Sequence, residues 1–298
     1  MTGDFNGIIG HQAQIEYLRK IIAGENVAHA YLFSGAERLG KRTIAREFAS
    51  IMLGIEENAL DTHPNFYFVD YPLDEKTGEP KPHIDIDSIR DARERMQLST
   101  FDGGRKILLI DHADSMTLGA QNALLKTLEE PSGDALIILV ACMPKILLPT
   151  IVSRSVHIRF APVASKIILQ SLGDKALALK ELVESFAYGR PGIALEFLND
   201  ERREEIELQR KDAKAFFRAP LAKRFGIIAS LTKKKERNAV QEALKTWRMQ
   251  LHEDLAESLG TPSALRVAIA LNALEEADES IRRNGNVPLA LEYFAIHL

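Results

Sequence analysis

Residues 30–53 constrain this chain more than any other stretch. A five-residue apolar run, Ala30–Ser34, leads without a break into Gly35-Ala36-Glu37-Arg38-Leu39-Gly40-Lys41. An amphipathic stretch, Lys41–Leu53, follows, with Ile44, Ala45, Phe48, Ala49 and Met52 on one face. Strand, glycine turn and helix in that order describe a phosphate-binding loop, G-x-x-x-x-G-K-[ST]. Glycines let backbone N–H groups wrap an anion, and the helix N-terminus adds partial positive charge. A ligand-free glycine turn between a strand and a helix is the plainer reading of the same residues. The loop departs from its pattern at one decisive place. Arg42 stands where a Ser or Thr should ligate Mg²⁺, and a guanidinium has donors only. Thr43 comes one position late, about 100° further around the helix, so it does not replace the missing hydroxyl. Glu37 adds a negative charge to the loop itself.

Further apolar runs predict strands at Phe66–Asp70, Lys106–Asp111, Ala135–Ala141 and Val156–Phe160. Their continuity suits a parallel sheet covered on both faces. Helices are expected between them, over Asp87–Leu98 after an Asp able to cap it, and over Thr117–Glu130 up to Pro131. The Pro- and Gly-bearing segment Tyr71–His83 reads as a surface loop. Strand–helix alternation gives an α/β domain. After Pro162 the pattern turns helical, with helices at Lys166–Leu172 and Ala176–Tyr188, a turn at Gly189–Gly192 and a helix from Ile193. The expected division is an α/β domain over 1–161, a small helical lid over 162–204 and an all-α domain over 205–298. A length of 298 residues fits two or three domains.

Composition limits the function classes. The net charge is -4, where a protein that grips DNA alone carries a basic excess. The single cysteine, Cys142, excludes a disulfide within the chain and a cysteine-rich zinc site; it reads as a small apolar filler. Tyr188 and Trp247 read as packing residues, and Lys233–Lys235 as a solvated stretch of helix. No run reaches the length of a membrane span, and Met1–Gly10 lacks the layout of a signal peptide, so a cytoplasmic location is expected.

The strand Lys106–Asp111 ends in a carboxylate. In phosphate-loop ATPases such an Asp holds Mg²⁺. The next residue is His112 in place of the usual Glu, and Asp114 lies two further on. The substitutions at 42 and 112 are expected to be linked, with Arg42 pairing with Asp111 where the metal would be. Alternatively, Asp111 merely caps the next turn.

Four segments carry a family resemblance. Ala120–Pro131 (AQNALLKTLEEP) and Leu148–Ser155 (LPTIVSRS) resemble the two hallmarks of the clamp-loader AAA+ family, the second with Ser155 for Cys. Ile8–Gln12 and Asn284–Glu292 resemble the family's start and the end of its C-terminal collar. The resemblance covers nearly the whole chain. It implies an AAA+ phosphate-loop domain, a lid and a helical collar for oligomerisation. Within the family the chain is more similar to the branch that does not hydrolyse ATP than to the gamma/tau ATPases. Arg42 and His112 point that way, as do Ala141 and Cys142 where polar residues sense the terminal phosphate, and Gly192 where a second-sensor Arg is expected. Arg190 is two residues off and is no replacement. Gly54–Pro64 has no cysteine, so the family's zinc module and any zinc are not expected.

By the same resemblance Arg154 is an arginine finger acting in trans, presented by the turn at Ser153. A degenerate nucleotide site is made of Gly35, Gly40, Lys41, Arg42, Thr43, Asp111 and His112. No metal or cofactor of its own is expected, and Mg·ATP is not expected to bind. The implied partners are gamma/tau and delta subunits and, through the complex, the sliding clamp and primed DNA. Such a chain is an accessory part of a replicative polymerase. Two other readings remain open: an active gamma/tau-type ATPase, because Lys41, Asp111 and the glycines are intact, and a stand-alone DNA-binding protein.

Overall fold

A computed structural model describes residues 5–24, 27–73, 81, 83–97, 104–131, 133–233, 237–282 and 285–298. Most of the expected loop Tyr71–His83, together with Leu98, Lys234, Lys235 and Asn284, lies outside them. Helix α1 (Gln12–Ile22) precedes strand β1 (Ala30–Ser34). Then come α2 (Lys41–Leu53), β2 (Phe66–Val69), α3 (Ile86–Gln97), β3 (Lys106–Ile110), α4 (Leu118–Glu129), β4 (Ala135–Ala141), α5 (Pro149–Ser153) and β5 (Val156–Arg159). All five strands are parallel, in the order β2-β3-β4-β1-β5. The fold is the expected α/β arrangement with a helical C-terminal region.

The three inner strands β1, β3 and β4 are buried on both faces, their side chains alternating between two cores, while the edge strands β2 and β5 are only partly buried. Tyr31, Phe33, Ile107, Leu109, Ile138 and Val140 face α1 and α2. Their neighbours Leu32, Leu108, Ile110, Ile137 and Leu139 face α3, α4 and α5. The helix ends follow from local chemistry. Asp85 caps α3, its Oδ1 accepting from Ser88 N–H at 3.0 Å. Thr117 caps α4 through the Ala120 N–H, 3.2 Å away. Buried Lys106 closes the far end of α3, donating to the carbonyls of Arg95 (2.9 Å) and Met96 (3.2 Å). Burial lowers its pKa.

Past the sheet run α6 (Ser165–Ser171), α7 (Ala176–Leu182), α8 (Pro191–Glu196), α9 (Asp200–Arg218), α10 (Leu221–Lys233), α11 (Arg237–Ser258), α12 (Ser263–Arg282) and α13 (Val287–Ile296). Two expectations need correction here. The helix from Ala176 stops at Leu182, then loosens into a π turn, Val183–Ala187, that ends on a left-handed Tyr188 (φ 46°). The next helix starts at Pro191 rather than Ile193; proline favours the first helical position because its missing N–H would be unpaired there.

The chain forms two compact units, Met1–Val183 with Ala187–Ala194, and Glu184–Phe186 with Leu195–Leu298. The second packs around stacked rings. Phe216 lies 4.2 Å from Trp247, and Phe294 lies 5.5 Å from Trp247 (centroid distances). Leu244, Leu251, Leu274 and Leu291 close around them. No helix among the described residues is long and apolar enough to cross a membrane.

Candidate functional site

The phosphate loop lies at the carboxyl end of β1. Gly35 takes φ 147° with its N–H aimed at the Ala141 carbonyl, 3.3 Å away. A Cβ there would come within 2.3 Å of the Phe160 carbonyl oxygen, so only glycine fits. Gly40 (φ 88°) opens α2. Lys41, the first residue of α2, is buried. Its Nζ donates to the loop's own carbonyls at Gly35 (2.6 Å) and Ala36 (2.7 Å) and lies 3.6 Å from Cys142 Sγ. The loop is thus bonded to itself through the group that would reach a terminal phosphate.

Two flanking segments hold the loop in place. His11 Nε2 lies 2.9 Å from the Leu39 carbonyl, and the His11 ring meets Phe160 edge-on at 5.1 Å. Burial lowers the His11 pKa, so the neutral ring donates Nε2–H to that carbonyl. On the other side the Gly192 N–H donates to the Arg38 carbonyl at 2.9 Å. A Cβ at Gly192 would stand 3.0 Å from that oxygen and 3.2 Å from Arg38 Cβ. A side chain at Gly192 would therefore push on the loop.

The acidic side of the site comes from strand register. Val69 of β2 pairs with Ile110 of β3, which sets the following residues, Asp70 and Asp111, side by side. Arg42 reaches both: its Nη1 is 3.1 Å from Asp70 Oδ2 and 3.5 Å from Asp111 Oδ2. The guanidinium also lies 4.6 Å above the Phe68 ring. The expected Arg42–Asp111 pair is present, with Asp70 as a second carboxylate. Asp111 is buried, and burial pushes its carboxyl above the usual range against the pull of the His112 ring, the His112 N–H (2.9 Å) and Arg42. Leaving that carboxylate ionised without a cation would cost on the order of several kcal/mol.

His112 takes a left-handed turn (φ 48°) and stacks on Tyr71 at 4.7 Å. Its Nε2 lies 3.9 Å from Asp111 Oδ2 and 4.0 Å from Asp70 Oδ1. Asp70, Asp111 and His112 offer ligand atoms within 4.8 Å of one another. The cation among them is the guanidinium, and the α2 residue facing them offers donors only. The donor set does not fit a Mg²⁺ ion bridging to a triphosphate. Thr43 is exposed on α2. Asp114 has a structural task, its Oδ2 accepting from the N–H groups of Cys142 (3.1 Å) and Met143 (2.7 Å) beyond β4. Burial pushes the Cys142 thiol up to about 11, so it is protonated at neutral pH and no nucleophile.

Arg154 belongs to a second cluster. It caps α5 and is partly exposed; Nη2 is 2.9 Å from Glu129 Oε1 and Nη1 donates to the Thr150 carbonyl at 3.3 Å. Ser153 Oγ bonds the same carbonyl at 3.2 Å.

The structure brings Gly35, Gly40, Lys41, Arg42, Asp111 and His112 together at one end of the sheet. Asp70, Phe68 and Tyr71 were missed from sequence. The available signal was the matching ends of FYFVD and KILLID, each an apolar strand closed by Asp.

Residues 10–164 match the family model described as DNA polymerase III, delta subunit. Over 144 residues the chain is 39% identical to DNA polymerase III subunit delta' of Pseudomonas aeruginosa, covering 44% of this chain and 42% of that protein. It is 29% identical over 227 residues to the subunit delta' of Bacillus subtilis, covering 72% and 64%. The matches thus span less than two thirds of these relatives' own length. A DNA polymerase III gamma subunit-related protein of Thermotoga maritima shares the fold, with a TM-score of 0.58, 20% identity and coverage of 95% of this chain and 97% of that one.

Proposed function

The chain belongs to the DNA polymerase III delta subunit family, and from this we propose that it is a non-hydrolysing subunit of a replicative clamp loader. Its own nucleotide site is vestigial, and it gives Arg154 to the ATP site of a neighbouring subunit. The helical C-terminal unit holds it to gamma/tau and delta partners, and the complex places the sliding clamp on primed DNA.

One observation carries this reading. Arg42 occupies the place of the metal-ligating hydroxyl and pairs with both carboxylates at the strand ends. A cation fixed in the fold does there what Mg²⁺ does in an active ATPase, neutralising Asp111, but it bridges to no phosphate. His112 in place of the water-orienting carboxylate, and the self-bonded Lys41, add to it. The reading as an active ATPase rests on Lys41, Asp111 and the glycines alone and leaves Arg42 unexplained. The stand-alone DNA-binding reading finds no support in a net charge of -4.

Reconstitution from the partner subunits of the same genome, with and without this chain, tests the proposal. Loading of the clamp onto primed DNA is expected to fall to background when the chain is omitted. Undiminished loading without it would reject the proposal.

A further inference from the structure

Arg154 is retained by its own chain through two contacts, to Glu129 on α4 and to the Thr150 carbonyl one turn back on α5. The two helices are tied together. Buried Gln121 of α4 accepts from the Leu148 N–H at 2.8 Å and donates to the Met116 carbonyl at 3.1 Å. The acid and the guanidinium therefore face each other across a fixed joint. A guanidinium folded back over its own helix is retracted, and reaching the phosphates of another chain breaks both contacts.

The location of Glu129 is informative in itself. It is the last residue of α4, at the negative end of the helix dipole, where a carboxylate is disfavoured. Pairing with Arg154 offsets that penalty. Both groups are partly exposed, so the hold is weak; an exposed pair shifts an equilibrium by roughly two- to fivefold. A triphosphate carries several negative charges and displaces one carboxylate readily.

We propose that Glu129 is a positioning residue that keeps Arg154 retracted until a neighbouring subunit binds a nucleoside triphosphate, whose terminal phosphate takes the guanidinium from the carboxylate. This rests on the reading of Arg154 as a residue given in trans. The retracted state lowers the neighbour's apparent affinity by the fraction of fingers held back.

The test is steady-state ATP hydrolysis by the reconstituted complex carrying Glu129→Gln. KM for ATP is expected to fall roughly two- to fivefold with kcat unchanged. Glu129→Asp, which keeps the charge, should stay nearer wild type. In an Arg154→Ala background, where turnover is lost, Glu129→Gln should leave ATP binding to the complex, read by equilibrium titration, unchanged. An unchanged KM, or a fall in kcat, overturns the proposal while leaving the finger reading intact, provided Arg154→Ala by itself abolishes turnover. A gain in ATP affinity from Glu129→Gln that persists without Arg154 also overturns it. If Arg154→Ala leaves turnover at wild-type level, the finger reading itself fails and the retention role falls with it.

Discussion

Replacing Arg154 with alanine in the assembled complex is expected to slow hydrolysis at the adjoining ATP site by a factor on the order of 10³–10⁵. A guanidinium placed against the transferring phosphoryl group neutralises charge that develops in the transition state, and it does so without reorganisation. Arg154 sits at the end of a short helix, partly exposed, so it is available to another chain. Its contacts within this chain are surface contacts, worth about 0–1 kcal/mol, and the variant should melt like the wild type. Single-turnover hydrolysis by the complex checks the first part and thermal unfolding of the isolated chain the second. A variant with normal turnover would show that the guanidinium serves only its local pair with Glu129.

The second large effect lies in the C-terminal unit. Phe216 is buried to 1% exposure and stacks on Trp247 at 4.2 Å and on Phe294 at 6.3 Å. Phe216→Ala removes the ring through which α9 meets α11 and α13, and it leaves a cavity. The expected loss is roughly 3–5 kcal/mol, a large part of the ~5–15 kcal/mol that holds a domain together. Trp247 is the only tryptophan and touches the deleted ring, so its fluorescence during urea unfolding reports this unit directly. Because the proposed assembly runs through these helices, the variant should also be recovered poorly in the complex. A loss below about 1 kcal/mol would mean that the stacked rings are not the centre of this core.

The sheet was legible in the sequence because its strands are short, apolar and bounded by turn residues. Three of the five expected runs need trimming by one residue, and Ala30–Ser34 and Ala135–Ala141 stand as read. The phosphate loop was legible for the same local reason, since the residues that mark it, Gly35, Gly40 and Lys41, lie within one turn and one helix start; its braces at His11, Ala141, Phe160 and Gly192 are distant in sequence. The Arg42–Asp111 pair could be inferred because two departures from one pattern compensate each other chemically.

What sequence reading missed is non-local. Asp70 meets Arg42 only because β2 pairs with β3 in one register, and a shift of one residue would turn it to the other face. Glu129 meets Arg154 across two helices whose spacing depends on Gln121. The crowding of Gly192 against Arg38 arises from chain segments far apart in sequence. The π turn at Val183–Ala187 left no trace in the apolar periodicity, which runs through it.

On the proposed reading, Arg42 replaces the metal in this chain's own site. ATP titration of the purified chain, with and without Mg²⁺, beside an Arg42→Ser variant, tests it most directly. The wild type is expected to show no Mg²⁺-dependent gain in affinity and no turnover. Arg42→Ser restores a hydroxyl and frees Asp111, and it is expected to gain about tenfold in Mg²⁺-dependent affinity, equivalent to ~1.4 kcal/mol. Mg²⁺-dependent binding and steady hydrolysis by the wild-type chain, with no gain on substitution, would show that Arg42 does not stand in for the metal and would make this an active ATPase.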